Sequence, residues 1–138
     1  MRRTFLWAIF SVLVTPIVRA TEAKVVPLRG RLRQPASGSP HIETPEGRRI
    51  QLDGDEPTQK VLADDRLKDT DFEVLGELQS GNRFDVQKIH IPSLFVYLNG
   101  KRMQVSYWCD VCYIRTSSPG KCWCCQKNTD LDPIQPES

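Results

Sequence analysis

The sequence predicts a mainly β protein: a small five-stranded barrel with one short helix, followed by a β-hairpin and a C-terminal cysteine module. Three observations predict this class. Apolar and polar residues alternate in several short runs over residues 24–107, as half-buried strands require. One helix start interrupts these runs, at Asp55 and Pro57. The five cysteines of the chain then all fall within residues 109–125.

The first half of the predicted barrel is a strand and a hairpin. Residues 24–32 alternate loosely and predict the first strand, and a turn-rich loop follows at residues 34–40. Residues 41–44 and 48–52 flank Pro45-Glu46-Gly47, where glycine is available for a positive φ angle. We therefore expect these two runs to form a hairpin.

A helix and two strands are expected next. Asp55 can cap the helix, and Pro57 stands in its first turn, where the missing N–H costs nothing. We expect the helix to continue to about Leu67. Residues 71–79 and 83–91 then alternate around a short turn and predict two further strands.

The last predicted hairpin leads into the cysteines. Residues 94–98 and 102–107 flank Asn99-Gly100, the pair favoured in two-residue type I′ turns. Its second strand continues directly to Cys109.

The element order of residues 24–91 resembles that of the oligonucleotide/oligosaccharide-binding (OB) fold, a small five-stranded barrel. An open β sandwich or another small barrel is the alternative. We expect the barrel domain over residues 21–92 and the hairpin with the cysteine module over residues 93–128. Residues 129–138, which contain two prolines among polar side chains, are expected to be a flexible tail.

The N-terminus has the three parts of a secretory signal peptide. Arg2 and Arg3 give a charged start, residues 5–18 are mostly apolar, and Ala20 ends the segment with a small residue. Such a run is too short to span a bilayer, although an uncleaved membrane anchor is the alternative. We expect residues 1–20 to be removed and the protein to be exported to the periplasm or the extracellular space.

Two export routes are open. Residues 2–6, Arg-Arg-Thr-Phe-Leu, resemble the twin-arginine signal, whose route carries proteins that are already folded. A metal loaded in the reducing cytoplasm could then cross inside its site. The same two arginines also serve as the ordinary positive charge of the general secretory route.

The charge of the mature chain limits its partners. Removal of the signal peptide takes away Arg2, Arg3 and Arg19 and leaves 16 basic and 17 acidic side chains, a formal charge of −1. A nearly neutral chain lacks the basic surface that nucleic-acid binding needs. We therefore expect a protein or small-molecule partner in the cell envelope, no nucleic acid, and membrane contact only through the signal segment.

The cysteines have the spacing of a tetrahedral thiolate metal site. Cys109 and Cys112 form one C-x-x-C pair, and Cys122 and Cys125 form a second pair after nine intervening residues. The Pro119-Gly120 step between them can reverse the chain so that the two pairs face each other. Four thiolates would close the coordination shell of one zinc ion and leave no position for water or substrate. Such a metal organises structure rather than chemistry.

The stretch from Cys109 to Cys125 resembles a zinc ribbon or zinc knuckle. The segments C-D-V-C-Y-I-R-T and P-G-x-C-x-C-C-Q are similar to the C-terminal part of uncharacterised exported bacterial proteins with a tetracysteine motif. The resemblance implies Cys109, Cys112, Cys122 and Cys125 as metal ligands and implies no known reaction. Cys124 lies inside the second pair and is the alternative ligand.

Three other interpretations of the cysteines remain open. A disulfide framework suits an oxidising compartment but leaves one of five thiols over. A C-x-x-C redox centre usually stands at the N-terminus of a helix, and no helical pattern follows this one. Thiolates also suit copper(I) or iron. The sequence thus favours a non-enzymatic binding or assembly protein with structural zinc, and a thiol redox or soft-metal handling protein is the alternative.

The remaining candidates for chemistry are weaker. His41 and His90 are each expected on a strand, apart from any nucleophile or acid. The acidic residues around the predicted helix lack calcium-loop spacing. Trp108 and Trp123 flank the cysteines, and we expect them to pack over the metal site. The sequence predicts no catalytic residue.

Overall fold

The computed structural model describes residues 24–137, so the predicted signal peptide lies outside the described residues. Residues 24–137 form ten strands, one α-helix and one 3-10 helix. In chain order the elements are β1 (Val26–Arg33), β2 (His41–Glu43), β3 (Arg49–Asp53), α1 (Glu56–Leu62), the 3-10 helix (Asp65–Leu67), β4 (Asp71–Gln79), β5 (Arg83–Val86), β6 (Leu94–Leu98), β7 (Lys101–Gln104), β8 (Tyr107–Cys109), β9 (Ile114–Thr116) and β10 (Asp130–Leu131). No helix within this range is long and apolar enough to cross a membrane.

Five strands close into a barrel, which confirms the predicted fold class. The order is β1-β2-β3-β5-β4, and β4 returns to pair with β1. The β3–β5 pair is parallel, and the other barrel pairs are antiparallel. Helix α1 lies between β3 and β4 in the chain, as in the OB fold.

The barrel interior is filled by apolar side chains that alternate along the strands. Leu32, Ile42, Leu52, Phe72 and Val74 are completely buried. The helical segment adds three more residues to the same core, namely Val61, Leu62 and Leu67. Burial of this apolar surface is the main stabilising term for a domain of this size.

The helix is shorter than the sequence predicts. Asp55 caps it as expected, since its carboxylate accepts a hydrogen bond from the Thr58 N–H at 2.9 Å. The helix ends at Leu62 and a separate 3-10 helix follows. The reason is Asp64, whose side chain accepts from the Arg66 N–H and so starts a new helical turn.

The strand expected over residues 83–91 is also shorter, since β5 ends at Val86. The chain then turns, with a hydrogen bond from the Ile91 N–H to the Lys88 carbonyl oxygen at 2.8 Å. The second carboxylate oxygen of Asp55 accepts from the Ile89 N–H at 3.0 Å and holds this loop against the start of α1. One side chain therefore stabilises both a helix terminus and a loop.

The β6–β7 hairpin adds two strands to the outside of the barrel. β6 pairs with β4, and β7 pairs with β6. Asn99 and Gly100 have φ angles of 52° and 78°, as the predicted type I′ turn requires.

The C-terminal residues form a second sheet with the order β10-β8-β9. The structure differs here from the expected flexible tail, because β10 pairs with β8 and Ile134 forms a bridge to Gln104. The Arg115 guanidinium also donates to the Asp132 carboxylate at 2.8 Å. Because these partners lie far away in the chain, the sequence of the tail itself does not predict the pairing.

Candidate metal centre

The first C-x-x-C pair forms the tip of the β8–β9 hairpin. Cys109 ends β8, and the Tyr113 N–H donates to the Cys109 carbonyl oxygen at 2.9 Å. Tyr113 has a φ angle of 56°, in the left-handed region. The Cys112 N–H points at the Cys109 sulfur, at 3.4 Å. The turn thus brings two sulfurs to one side of the hairpin.

The second pair repeats this turn. The Gln126 N–H donates to the Cys122 carbonyl oxygen at 2.8 Å, and Gln126 has a φ angle of 65°. Below the turn, Lys121 and Asn128 form an isolated antiparallel bridge, and the Cys122 N–H donates to the Lys127 carbonyl oxygen at 2.8 Å. In both pairs the residue after the second cysteine takes a left-handed conformation, and its N–H donates a hydrogen bond to the carbonyl oxygen of the first cysteine.

The two turns face each other and bring four sulfurs together. The Sγ atoms of Cys109, Cys112, Cys122 and Cys125 all lie within 4.8 Å of one another. The sulfurs of Cys109 and Cys125 are 3.5 Å apart. Cys109 and Cys122 are buried, and the other two are half-buried. Four cysteines in this arrangement could hold a metal ion.

Cys124 lies outside the set of four sulfurs that are within 4.8 Å of one another, although its side chain reaches that of Cys112. Its side chain is exposed, and in the repeated turn Cys125, not Cys124, takes the position that Cys112 takes in the first pair. Backbone geometry therefore groups the same four cysteines that the sequence spacing indicates. Their role as metal ligands stays a prediction.

The thiols of the cluster influence one another's protonation. The pKa of Cys122 is lowered to about 7, chiefly by hydrogen bonds from the backbone N–H groups of Cys125 and Cys124. The pKa of Cys112 is raised, first by a hydrogen bond with the Cys124 side chain and then by desolvation. One thiolate is therefore stabilised while a neighbouring thiol resists a second negative charge. A bound cation would remove this resistance by supplying the opposite charge.

The aromatic residues surround the cluster differently from the expectation. Trp123 is 73% exposed. Trp108 is half-buried, has the Arg115 guanidinium 4.9 Å from its ring centroid, and meets the Tyr113 ring edge-on at 6.0 Å. The exposure of Trp123 does not fit its expected packing role, whereas Trp108 packs against Arg115 and Tyr113.

A hydrogen-bond network joins the cysteine module to the barrel. Tyr107, at the start of β8, is completely buried and donates to the Asp64 carboxylate at 2.8 Å. Burial, followed by this hydrogen bond, raises the pKa of Tyr107, so its hydroxyl stays a donor. Arg66 donates to Asp64 at 2.9 Å and to the Thr129 carbonyl oxygen at 3.2 Å. Sequence analysis does not find this network, because its partners lie far apart in the chain.

The other candidate residues lie elsewhere. His41 is on β2 as expected, whereas His90 is exposed in the turn after β5 rather than on a strand. Among the acids near the helix, Asp53 pairs with Arg83 at 2.9 Å and Asp64 pairs with Arg66. These contacts give the acids structural roles.

Comparison with known proteins adds no family to this description. No protein-family model, no curated protein and no solved structure matches the chain.

Proposed function

We propose that this chain is an exported, non-enzymatic binding or assembly protein of the cell envelope, whose C-terminal module is held together by one structural zinc ion. Cys109, Cys112, Cys122 and Cys125 are the proposed ligands. The observation that carries the proposal is the repeated turn, which aims two sulfur pairs at one point.

The sulfur arrangement suits zinc. A tetrahedral site with Zn–S bonds of about 2.3 Å needs sulfurs about 3.8 Å apart. The sulfurs lie within 4.8 Å of one another, so small side-chain adjustments are sufficient. Four protein ligands leave no open position on the metal, which supports a structural rather than a catalytic role.

The composition of the module supports the same role. Over residues 110–125 the chain has few buried apolar side chains, and Val111, Tyr113 and Trp123 are exposed. Without a hydrophobic core of its own, a segment this short needs a crosslink or a metal to hold one conformation. Metal-binding free energy then becomes folding free energy.

Metal analysis of the purified protein tests the zinc site. Protein prepared under reducing conditions should contain one zinc ion per chain by elemental analysis. Cys109→Ser, Cys112→Ser, Cys122→Ser and Cys125→Ser should each lower zinc content sharply, since a hydroxyl is a poor substitute for a thiolate. Cys124→Ser is the matched control and should keep the full zinc content.

The exposed thiol of Cys124 favours the alternative, a redox or soft-metal handling protein. Such a protein would contain little zinc, oxidise reversibly near physiological potentials, and lose its activity in Cys124→Ser. Two disulfides and no metal in protein taken directly from the envelope would contradict the zinc proposal. Retention of Met1 in cytoplasmic protein would contradict export.

A further inference from the structure

A cavity of about 630 Å³ lies on the outer surface of the barrel beside β1. Arg29, Arg31 and Arg33 line it because alternate residues of a strand project to the same face. Glu43 and Asp71 are the two acids of the lining, so three guanidinium groups meet two carboxylates. The cavity has the size of small-molecule sites, and with Asp69, which pairs with Arg33, its three arginines are matched by three carboxylates.

Two of these arginines already have carboxylate partners. Arg29 donates to both oxygens of Asp71, at 3.0 and 2.8 Å. Arg33 donates to Glu43 at 3.2 Å and to the Asp69 carboxylate at 2.7 Å. The hydrogen bond from Arg29 holds the pKa of Asp71 below its usual value, so this pair stays ionised at neutral pH.

Arg31 differs from its two neighbours. Its guanidinium donates from Nη1 to the Asp69 carbonyl oxygen at 3.0 Å, and within residues 24–137 it forms no salt bridge. A guanidinium has five N–H donors in a planar fork, so most of those of Arg31 have no partner in the described part of the chain. The single bond to a backbone carbonyl orients the group without neutralising its charge.

We propose that this cavity is a subsite for an oxyanion, a carboxylate or phosphate group on a small organic ligand, with Arg31 as its principal donor. The guanidinium fork matches both groups through two parallel hydrogen bonds. Thr44 and Pro45 complete the wall with a hydroxyl and an apolar ring. The proposal rests on the binding role proposed above, but it does not depend on the metal.

Titration of the full mature protein, followed by amide and arginine side-chain NMR signals, tests the site. The probes are benzoate and phenyl phosphate, with benzyl alcohol as the neutral control. Either anion should shift the Gly30 and Thr44 amide signals and the Arg31 Nε–H signal in a saturable manner. The anion that binds more tightly identifies the preferred oxyanion. Higher salt should weaken binding, because the site is open to solvent.

Two variants make the test specific. Arg31→Gln should weaken binding about tenfold or more, as expected for the loss of a charge-assisted hydrogen-bond pair. Arg49→Gln removes the same charge from β3, outside the lining of this cavity, and should bind as the wild type does. Equal weakening in both variants, or the absence of saturable shifts in the wild type, would overturn the proposal.

Zinc content separates this proposal from the preceding one. Arg31→Gln protein should keep its zinc, which also shows that the variant is folded. Wild-type protein that holds zinc but binds neither anion would contradict only the oxyanion site. Wild-type protein that binds an anion but no zinc would contradict only the metal centre.

Discussion

Tyr113 and Gln126 determine the shape of the cysteine cluster at the level of single residues. Each follows a C-x-x-C pair, has a positive φ angle, and donates its N–H to the first cysteine of the pair. Side chains other than glycine are strained in this conformation. The strain in both turns is compatible with folding because backbone hydrogen bonds hold them.

Gln126→Gly should therefore stabilise the cysteine module by up to about 1 kcal/mol, since glycine adopts positive φ without a steric penalty. The measurement is urea unfolding of the zinc-loaded protein, followed by tryptophan fluorescence. Gln79→Gly, at the extended end of β4, is the matched control and should be destabilising. A Gln126→Gly variant less stable than the wild type would contradict the assigned backbone strain.

The sequence predicts the four clustered cysteines through their spacing, but it does not predict the environment of their neighbours. Trp123 and Tyr113 are 73% and 76% exposed although both are large aromatic residues beside the cluster. Their orientation depends on how the two turns pack against each other, which the spacing of residues along the chain does not predict. The sequence likewise does not show that Arg31 lacks a carboxylate partner within residues 24–137, because the partners of Arg29 and Arg33 lie elsewhere in the chain.

At the level of elements, β4 is the central strand of the large sheet. One edge pairs with β1, while the other edge pairs first with β6 and then with β5. Gly76 lies where the second edge changes partner and is opposed by Val26 and Val86. A Cβ atom at Gly76 would overlap the Asp85 carbonyl oxygen. The close approach of β4 and β5 therefore requires glycine at this position.

Gly76→Ala should destabilise the barrel by about 2 kcal/mol or more, because the backbone of β5 must move. Gly81→Ala is the control, since its Cβ would meet open space and only the φ angle of 76° would be strained. That variant should lose about 1 kcal/mol of its free energy of unfolding. Urea unfolding measures both. A Gly76→Ala variant as stable as the wild type would show that β5 can move freely.

Alternation and turn residues predict the order of the strands, and the structure confirms the barrel. The ends of the helix and of β5 are predicted less well. They are determined by Asp64 and Asp55, each of which caps one segment and contacts another far along the chain. The local sequence pattern does not predict that one side chain has two partners in distant parts of the chain.

At the level of the whole molecule, the barrel and the cysteine module share a boundary. Val105 and Tyr107 belong to the hydrophobic core of the barrel, and Tyr107 also begins the strand that ends in Cys109. Asp64 and Arg66 connect the same boundary to Thr129. The module therefore has one end anchored in the core and carries the sulfur cluster at the other end.

Removal of zinc should consequently unfold the module only in part. Hydrogen exchange should accelerate over residues 109–128, while the amides of β4 and β6 keep their protection. The measurement is hydrogen–deuterium exchange by mass spectrometry on reduced protein before and after chelation. Cys124→Ser protein is the control and should respond as the wild type does. Uniform loss of protection across the barrel would show that the metal stabilises the entire fold.

The pairing of the chain's last residues with β7 has a consequence for solubility. An uncovered strand edge presents N–H and C=O groups that can pair with another molecule. Gln104 and Ile134 exchange two hydrogen bonds, at 2.7 and 3.0 Å, and the Asp132 N–H donates to the Ser106 carbonyl oxygen at 2.8 Å. These contacts cover the end of β7, the outermost strand of the seven-stranded sheet, and Leu131 packs against the barrel core. Proteolytic loss of residues 129–137 would therefore uncover both a strand edge and apolar surface, on which molecules can aggregate.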